Sequence, residues 1–201
     1  MSFVKNNNIF NLIEEKGFFY DIWEPSSPQI VLGRFSKEKE AIKDNVYIDN
    51  LPILRRLGGG GAVFLDKGTL IFEVGLKVIE RKSVDYYFDF FNKIILSSLK
   101  NQNIIANSNN EFYDITIDNK KIAGVSICIR KNLILYGSSI IINNLLIEKI
   151  DLYLKEPNKK PIYRKDRKHK EFLIALEDFK NFNLNLLKNS LKNILLAERS
   201  I

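Results

Sequence analysis

Leu54-Arg55-Arg56-Leu57-Gly58-Gly59-Gly60-Gly61-Ala62-Val63-Phe64-Leu65-Asp66-Lys67-Gly68 is the stretch that decides how this chain is read. Glycine loses more conformational freedom on ordering than any other residue. A compact domain that keeps four in a row between apolar runs therefore needs backbone there that no side chain crowds. Something flat or long is expected to lie against it. Two phosphate-binding motifs are excluded: no Gly-Lys-Ser/Thr follows to open a helix, and Val63 occupies the third glycine position of a Gly-x-Gly-x-x-Gly fingerprint. Asp66-Lys67-Gly68 reads instead as the turn of a β-hairpin between residues 62–65 and 69–76.

On the N-terminal side, residues 7–16 place Ile9, Phe10, Leu12 and Ile13 on one helical face, with Gly17 as C-cap. The aromatic run 18–23 predicts a strand, and Ile30-Val31-Leu32 a second one expected beside it. Ser36 is a candidate N-cap for a helix over 37–43. Ile53-Leu54-Arg55 is extended and leads into the glycines. Beyond them, Ser83 caps a long helix over 84–100 whose Tyr87, Phe91, Ile94, Ile95 and Leu99 form a core stripe. Residues 114–117, 121–127 and 133–142 predict a three-strand meander. Further helices are expected over 144–154, 168–179 and 184–198, the last packing on a sheet through Leu184, Leu187, Leu191, Ile194 and Leu195.

A chain of 201 residues suits a single domain that buries about 70% of its unfolded surface. Hydrophobic residues at 45% and charged residues at 27% exclude disorder as the explanation. One cysteine, Cys128, excludes an internal disulfide, and with one histidine, His169, leaves no clustered soft-metal site. No signal-peptide core and no run near the ~18 apolar residues of a membrane span is present, so a reducing, cytoplasmic setting is expected. The net charge of +7, from 31 basic and 24 acidic residues, is densest from Lys159 to Lys170. It favours an anionic partner or is simply a solvated lysine-rich face. Nucleic acid ranks last, because aromatics do not interleave with the basic cluster.

Lys121 is the leading candidate for chemistry. It follows an Asp118-Asn119 turn and opens a strand that reaches Gly124, so its ammonium can be fixed over a ligand that the glycine lets approach. Cys128 lies in an apolar strand and reads as buried filler, with a thioester-carrying nucleophile as the alternative. His169, among lysines and arginines, reads as a surface or helix-start residue.

Arg55-Arg56-x-Gly58-Gly59-Gly60-Gly61-Ala62-Val63-Phe64-x-Asp66-x-Gly68 resembles the lipoate-binding signature of the lipoate-protein ligase A family. Asp114-(x)6-Lys121-Ile122-Ala123-Gly124 is similar to a second segment of that family, one that biotin ligases share in part. Three positions depart from the pattern: Gly58 stands for Ser or Thr, Leu65 for His, and Tyr136 for His. Over residues 11–172 the resemblance implies an α+β fold, a mixed, largely antiparallel sheet flanked by helices, in one catalytic domain spanning 1–201 without a C-terminal accessory domain. It also implies ATP-dependent conversion of lipoate to lipoyl-AMP, then transfer to a lysine of an acceptor lipoyl domain such as a dehydrogenase E2 subunit or the glycine cleavage H protein. A separate accessory subunit is a further expected partner.

A carboxylate is a poor acyl donor, and joining it to AMP supplies a leaving group. Both transition states gather negative charge that fixed cations and amides stabilise by several kcal/mol. The resemblance assigns that role to Lys121 and to Arg55 or Arg56. It gives the acyl chain and activated carboxyl to Arg56 and the backbone of Gly58, Gly59, Gly60 and Gly61, with Ala62, Val63 and Gly124 lining the same site. Asp114 falls on the nucleotide side, where it is also a candidate contact for ATP-bound Mg2+. The alternatives are an ATP-independent octanoyl or lipoyl transferase and, given the replaced histidines, a non-catalytic acyl-binding paralogue or subunit.

Overall fold

The structure is a computed structural model and describes residues 8–198. Helix α1 (Ile9–Lys16) closes on Gly17 at φ 73°, whose N–H reaches the carbonyl of Ile13 as a left-handed C-cap. The predicted start of this helix at Asn7 lies outside the described residues. A six-stranded antiparallel sheet forms the centre. It is built from β1 (Phe18–Trp23), β5 (Thr69–Lys77), β6 (Asn107–Ser108), β7 (Ile115–Ile117), β8 (Lys120–Arg130) and β9 (Leu133–Ile141), in the order β1-β5-β9-β8-β7-β6. A three-stranded sheet of β2 (Gln29–Leu32), β3 (Ile53–Arg55) and β4 (Val63–Leu65) has the order β3-β2-β4, with β2 parallel to β3 and antiparallel to β4. The fold is thus α+β with a mainly antiparallel sheet flanked by helices, as expected.

Alternation along β5 and β9 divides the large sheet into two faces. Leu70, Phe72, Val74, Ile134, Tyr136 and Ile140 pack with Tyr87, Phe91, Ile94, Ile95 and Leu99 of α4 (Val84–Lys100), all buried. Ser83 caps that helix by accepting the N–H of Tyr86. On the other face Ile71 meets Val31 and Leu65 of the small sheet. A second core joins Ile30, Leu32 and Phe64 of the small sheet to Ile141 of β9, to Leu146 and Ile150 of α5 (Asn144–Tyr153), and to Phe172 of α6 (His169–Phe172).

Five expectations about elements are corrected. β1 and β2 are not neighbours, because β1 pairs with β5 and β2 with β3 and β4. The stretch around Asp66-Lys67-Gly68 is not a hairpin: β4 pairs within the small sheet and β5 within the large one, so the turn carries the chain between sheets. The helix expected over 37–43 is only α2 (Glu38–Ala41), with Lys37 at its N-cap, because Ile42 turns extended to bridge Leu154 before the short α3 (Asn45–Ile48). The helix expected over 168–179 stops at Phe172, because Leu173 bridges Lys121 and the N–H of Ile174 donates to the Lys121 carbonyl at 3.1 Å. A separate 3-10 turn, Leu176–Asp178, follows. Finally, α7 (Leu184–Glu198) packs against α4 rather than directly on a sheet.

Candidate functional site

Between the two sheets lies a cavity of about 520 Å3, within the ~300–1,000 Å3 common for small-molecule sites. Its lining includes the apolar side chains of Phe64, Ile141, Leu146, Ile150, Leu154 and Phe172 and the polar ones of Arg56, Asp114, Lys121, Arg164 and His169.

The glycine run builds one wall from backbone. A Cβ on Gly33 would fall 1.9 Å from the Gly60 carbonyl oxygen, so the segment after β2 touches the run directly. Gly33 N–H donates to the Gly61 carbonyl at 3.1 Å and Arg34 N–H to the Gly58 carbonyl at 2.9 Å. Arg56, only 6% exposed, folds back beneath the run. Its guanidinium donates to the Gly59 carbonyl at 2.7 Å, the Gly61 carbonyl at 2.9 Å and the Val31 carbonyl at 3.3 Å. Burial lowers its pKa to about 10, so it stays charged at neutral pH. Gly60, Gly61, Ala62 and Val63 line the cavity. Gly58 turns instead to Ser126, whose Oγ lies 2.9 Å from the Cβ position that Gly58 lacks. Gly59 does not line the cavity. Arg55 points elsewhere, donating to the carbonyls of Gly33, Arg34 and Ser36 at 2.7–3.1 Å and pinning the chain after β2.

The opposite corner is built from side chains. Lys121 Nζ lies 2.7 Å from Asp114 Oδ1, and the Tyr163 hydroxyl donates to Asp114 Oδ2 at 2.9 Å. Asp114 is 5% exposed and precedes β7, where the register with β8 shifts between Ile115 and Thr116. Such a bulge re-aims side chains at a strand end. Burial, followed by the Asp114 charge, pushes the Tyr163 phenol far up, so it remains a donor. The Lys121 side chain lies close over Gly124: a Cβ there would stand 3.2 Å from its Nζ and 3.3 Å from its Cε. The cavity thus combines a lysine ammonium with a group of apolar side chains, an arrangement suited to a ligand with an apolar tail and an anionic head.

Several lining residues escaped the sequence reading. Arg164, 4% exposed, pairs with Glu156 and stacks over the Phe172 ring at 4.5 Å. His169 does begin α6, as expected, but is buried rather than on the surface. Its backbone N–H donates to Glu156 at 3.0 Å, its Nε2 lies 3.3 Å from the Lys155 carbonyl, and its Nδ1 lies 3.5 Å from Arg164. These partners select the neutral ring protonated on Nε2. Burial lowers its pKa, helped by Arg164 and opposed by Glu156. The available signal was the segment Tyr163-Arg164…His169-x-x-Phe172, a basic run framed by two aromatic residues.

The positions of the replaced histidines lie off the cavity. Leu65 packs between the sheets against Val31 and Ile71. Tyr136 is buried on the α4 side, with its hydroxyl donating to Asn92 at 2.9 Å. Cys128 is half-buried in an apolar cluster with Leu57 and Leu135, outside the cavity, and burial raises its thiol pKa against the pull of Arg34 and Arg130. Among the described residues no group of three or more His, Cys, Asp or Glu side chains could hold a metal, and both Asp114 oxygens are engaged within the protein. No described helix is long and apolar enough to cross a membrane.

Comparison with known proteins gives the site its context. The chain is 29% identical over 177 residues to a lipoate–protein ligase 2 of Staphylococcus aureus, covering 77% of this chain and 48% of that protein. It is 25% identical over 189 residues to an inactive lipoate–protein ligase 2 of Plasmodium falciparum, covering 74% and 47%. The chain spans about half the length of these curated relatives. Two solved structures share the fold. A lipoate-protein ligase A bound with ATP matches with a TM-score of 0.77 at 20% identity, over 90% of this chain and 72% of that one. A bi-partite lipoate protein ligase of Thermoplasma acidophilum, studied with its E2 lipoyl domain, matches with a TM-score of 0.76 at 22% identity, over 90% and 70%. The model of the lipoyl protein ligase A/B catalytic domain matches residues 9–195, nearly the whole chain, which therefore belongs to that family.

Proposed function

We propose that this chain activates lipoate with ATP to lipoyl-AMP and passes the lipoyl group to a lysine of an acceptor lipoyl domain. The observation that carries this reading is the placement of Lys121 over Gly124, paired with Asp114, in the cavity that the glycine wall and the apolar side chains also line. Lipoate enters with its chain along Phe64, Ile141, Leu146 and Ile150 and its carboxylate toward Lys121. A carboxylate oxygen attacks the α-phosphorus of ATP, the bond to pyrophosphate breaks, and pyrophosphate leaves. The acceptor amine then attacks the carbonyl carbon, AMP departs, and the amine proton is lost to solvent.

Lys121 is the catalytic cation, opposing negative charge on the phosphoryl and carbonyl oxygens, where such a donor contributes about 3–4 kcal/mol. Gly60, Gly61, Ala62 and Val63 shape the wall against which the activated carboxyl lies, and Arg56 holds that wall in place. Asp114 fixes the ammonium and marks the nucleotide side. Mg2+ accompanying ATP would draw its ligands mostly from water and phosphate, neutralising charge on the polyphosphate, as its coordination chemistry favours. Fold-level likeness to an ATP-bound ligase supports the nucleotide. The bi-partite system supports a separate accessory unit and an E2-type acceptor domain. An ATP-free thioester route lacks such support, because Cys128 lies outside the cavity with a raised thiol pKa.

The test is lipoylation of an acceptor lipoyl domain by the purified chain, with and without ATP and with an accessory unit supplied in parallel. Modification that requires ATP and is lost in Lys121→Ala is the expected result. Equal modification without ATP, or persistence in Lys121→Ala, contradicts the mechanism. One relative is named inactive, so the assay on this chain decides its own case.

A further inference from the structure

Two hydroxyls on the cavity face of the large sheet have no part in the roles above. Ser126 of β8 and Ser139 of β9 both line the cavity, Ser126 being buried. Neither hydroxyl has a hydrogen-bonding partner among the described residues. Across the β8–β9 pair, Ser139 sits opposite Gly124 and Ser126 opposite Gly137, so each stands beside a residue with no side chain to cover it.

The geometry points both at the ligand. The Cβ position that Gly124 lacks lies 3.2 Å from Lys121 Nζ and 3.9 Å from Ser139 Oγ. Ammonium and hydroxyl therefore converge on one small volume above the glycine. Ser126 Oγ stands 2.9 Å from the position that a Gly58 Cβ would take, against the glycine wall. Each hydroxyl opens onto the cavity with no protein group to satisfy it, and is therefore free to donate to a ligand bound there.

We propose that Ser139 and Ser126 are ligand-binding hydroxyls: Ser139 donates, together with Lys121, to an oxygen of the acyl-phosphate group of a bound acyl adenylate, and Ser126 to a neighbouring oxygen beside the glycine run. The proposal rests on the acyl-adenylate reading and deepens it. A free carboxylate offers two oxygens, both within the reach of Lys121, whereas the mixed anhydride adds phosphoryl oxygens that need further donors. The hydroxyls consequently discriminate adenylate from free acid.

Titration calorimetry with a non-hydrolysable sulfamoyl analogue of lipoyl-AMP, alongside lipoate alone, separates the outcomes. Ser139→Ala is expected to weaken analogue binding about ten- to hundredfold, and Ser126→Ala about tenfold, with lipoate affinity changed less than about threefold. Ser139→Thr, which keeps the hydroxyl, recovers most of the loss. Ser138→Ala, one residue along on the opposite face where its Oγ is buried, leaves the analogue within about twofold of wild type. Wild-type analogue affinity in both Ser139→Ala and Ser126→Ala, or an equal loss in Ser138→Ala, overturns the hydroxyl proposal alone. No analogue binding by the wild-type chain overturns the acyl-adenylate reading and this proposal together.

Discussion

The two walls of the cavity solve one problem, presenting fixed polar groups to a ligand, by opposite means. The glycine wall is backbone held from behind: Arg56 is buried beneath it and collects the carbonyls of Gly59 and Gly61, while Gly33 packs directly against Gly60. The lysine corner is side chain held from the side, through Lys121, Asp114 and Tyr163 in series. Removing a support from the first wall changes its shape. Removing the tip of the second changes its charge and leaves the shape standing. Adjacent arginines show the same contrast, since Arg55 ties down the chain after β2 outside the cavity while Arg56 props the wall within it.

This contrast breaks if both walls respond alike. The largest effect is expected at the lysine corner, where Lys121→Ala lowers the rate of lipoate-dependent ATP–pyrophosphate exchange about 10²- to 10³-fold, out of proportion to the drop in melting temperature that the unpaired, buried Asp114 carboxylate brings. At the glycine wall, Arg56→Ala costs about 3 kcal/mol of stability, because buried carbonyls lose a charged donor. Chemical denaturation reads that loss, and an equally stable variant contradicts the propping role. Gly60→Ala is milder, about 1–2 kcal/mol, because φ is 90° and the added Cβ meets the Arg56 guanidinium at 2.9 Å.

The polar rim between the walls titrates. Burial lowers the folded pKa of His169, so the unfolded chain binds more protons below the ordinary histidine value of about 6.5. Stability is therefore full above that value and falls as pH drops through and below it. The groups around the ring are Glu156, Arg164, Asp151 and the Lys155 carbonyl. Melting temperature measured from pH 8 to 5 is expected to fall more steeply for wild type than for His169→Asn; parallel curves contradict the buried neutral ring. The smallest effect is at Cys128→Ser, where activity stays within about twofold. A large loss there would return the thioester route to consideration.

Sequence reading reached the regular elements wherever periodicity and caps agreed. Gly17, Ser83 and the α4 stripe behaved as their local chemistry required. It failed where tertiary pairing overrode local pattern. Turn residues at Asp66-Lys67-Gly68 look the same whether the flanking strands pair with each other or with strands of two different sheets. Helix-prone residues after Phe172 yielded because Leu173 and Ile174 found backbone partners on the edge of β8 at Lys121. For the site, the glycines and Lys121 were legible as motif. The division of labour between Arg55 and Arg56 was not, since adjacency carries no information about which guanidinium is buried. Ser126 and Ser139 were equally silent, because a serine in a strand acquires meaning only from what stands opposite it.

The central claim is that the lysine corner and the glycine wall together stabilise an activated acyl group. Its most direct measurement is native mass spectrometry of the purified chain after incubation with lipoate and Mg-ATP. The account predicts a bound species with the mass of lipoyl-AMP, accompanied by released pyrophosphate, and its disappearance in Lys121→Ala. A folded wild-type chain that returns only unreacted lipoate and ATP, with an accessory unit present as well as without it, contradicts the claim.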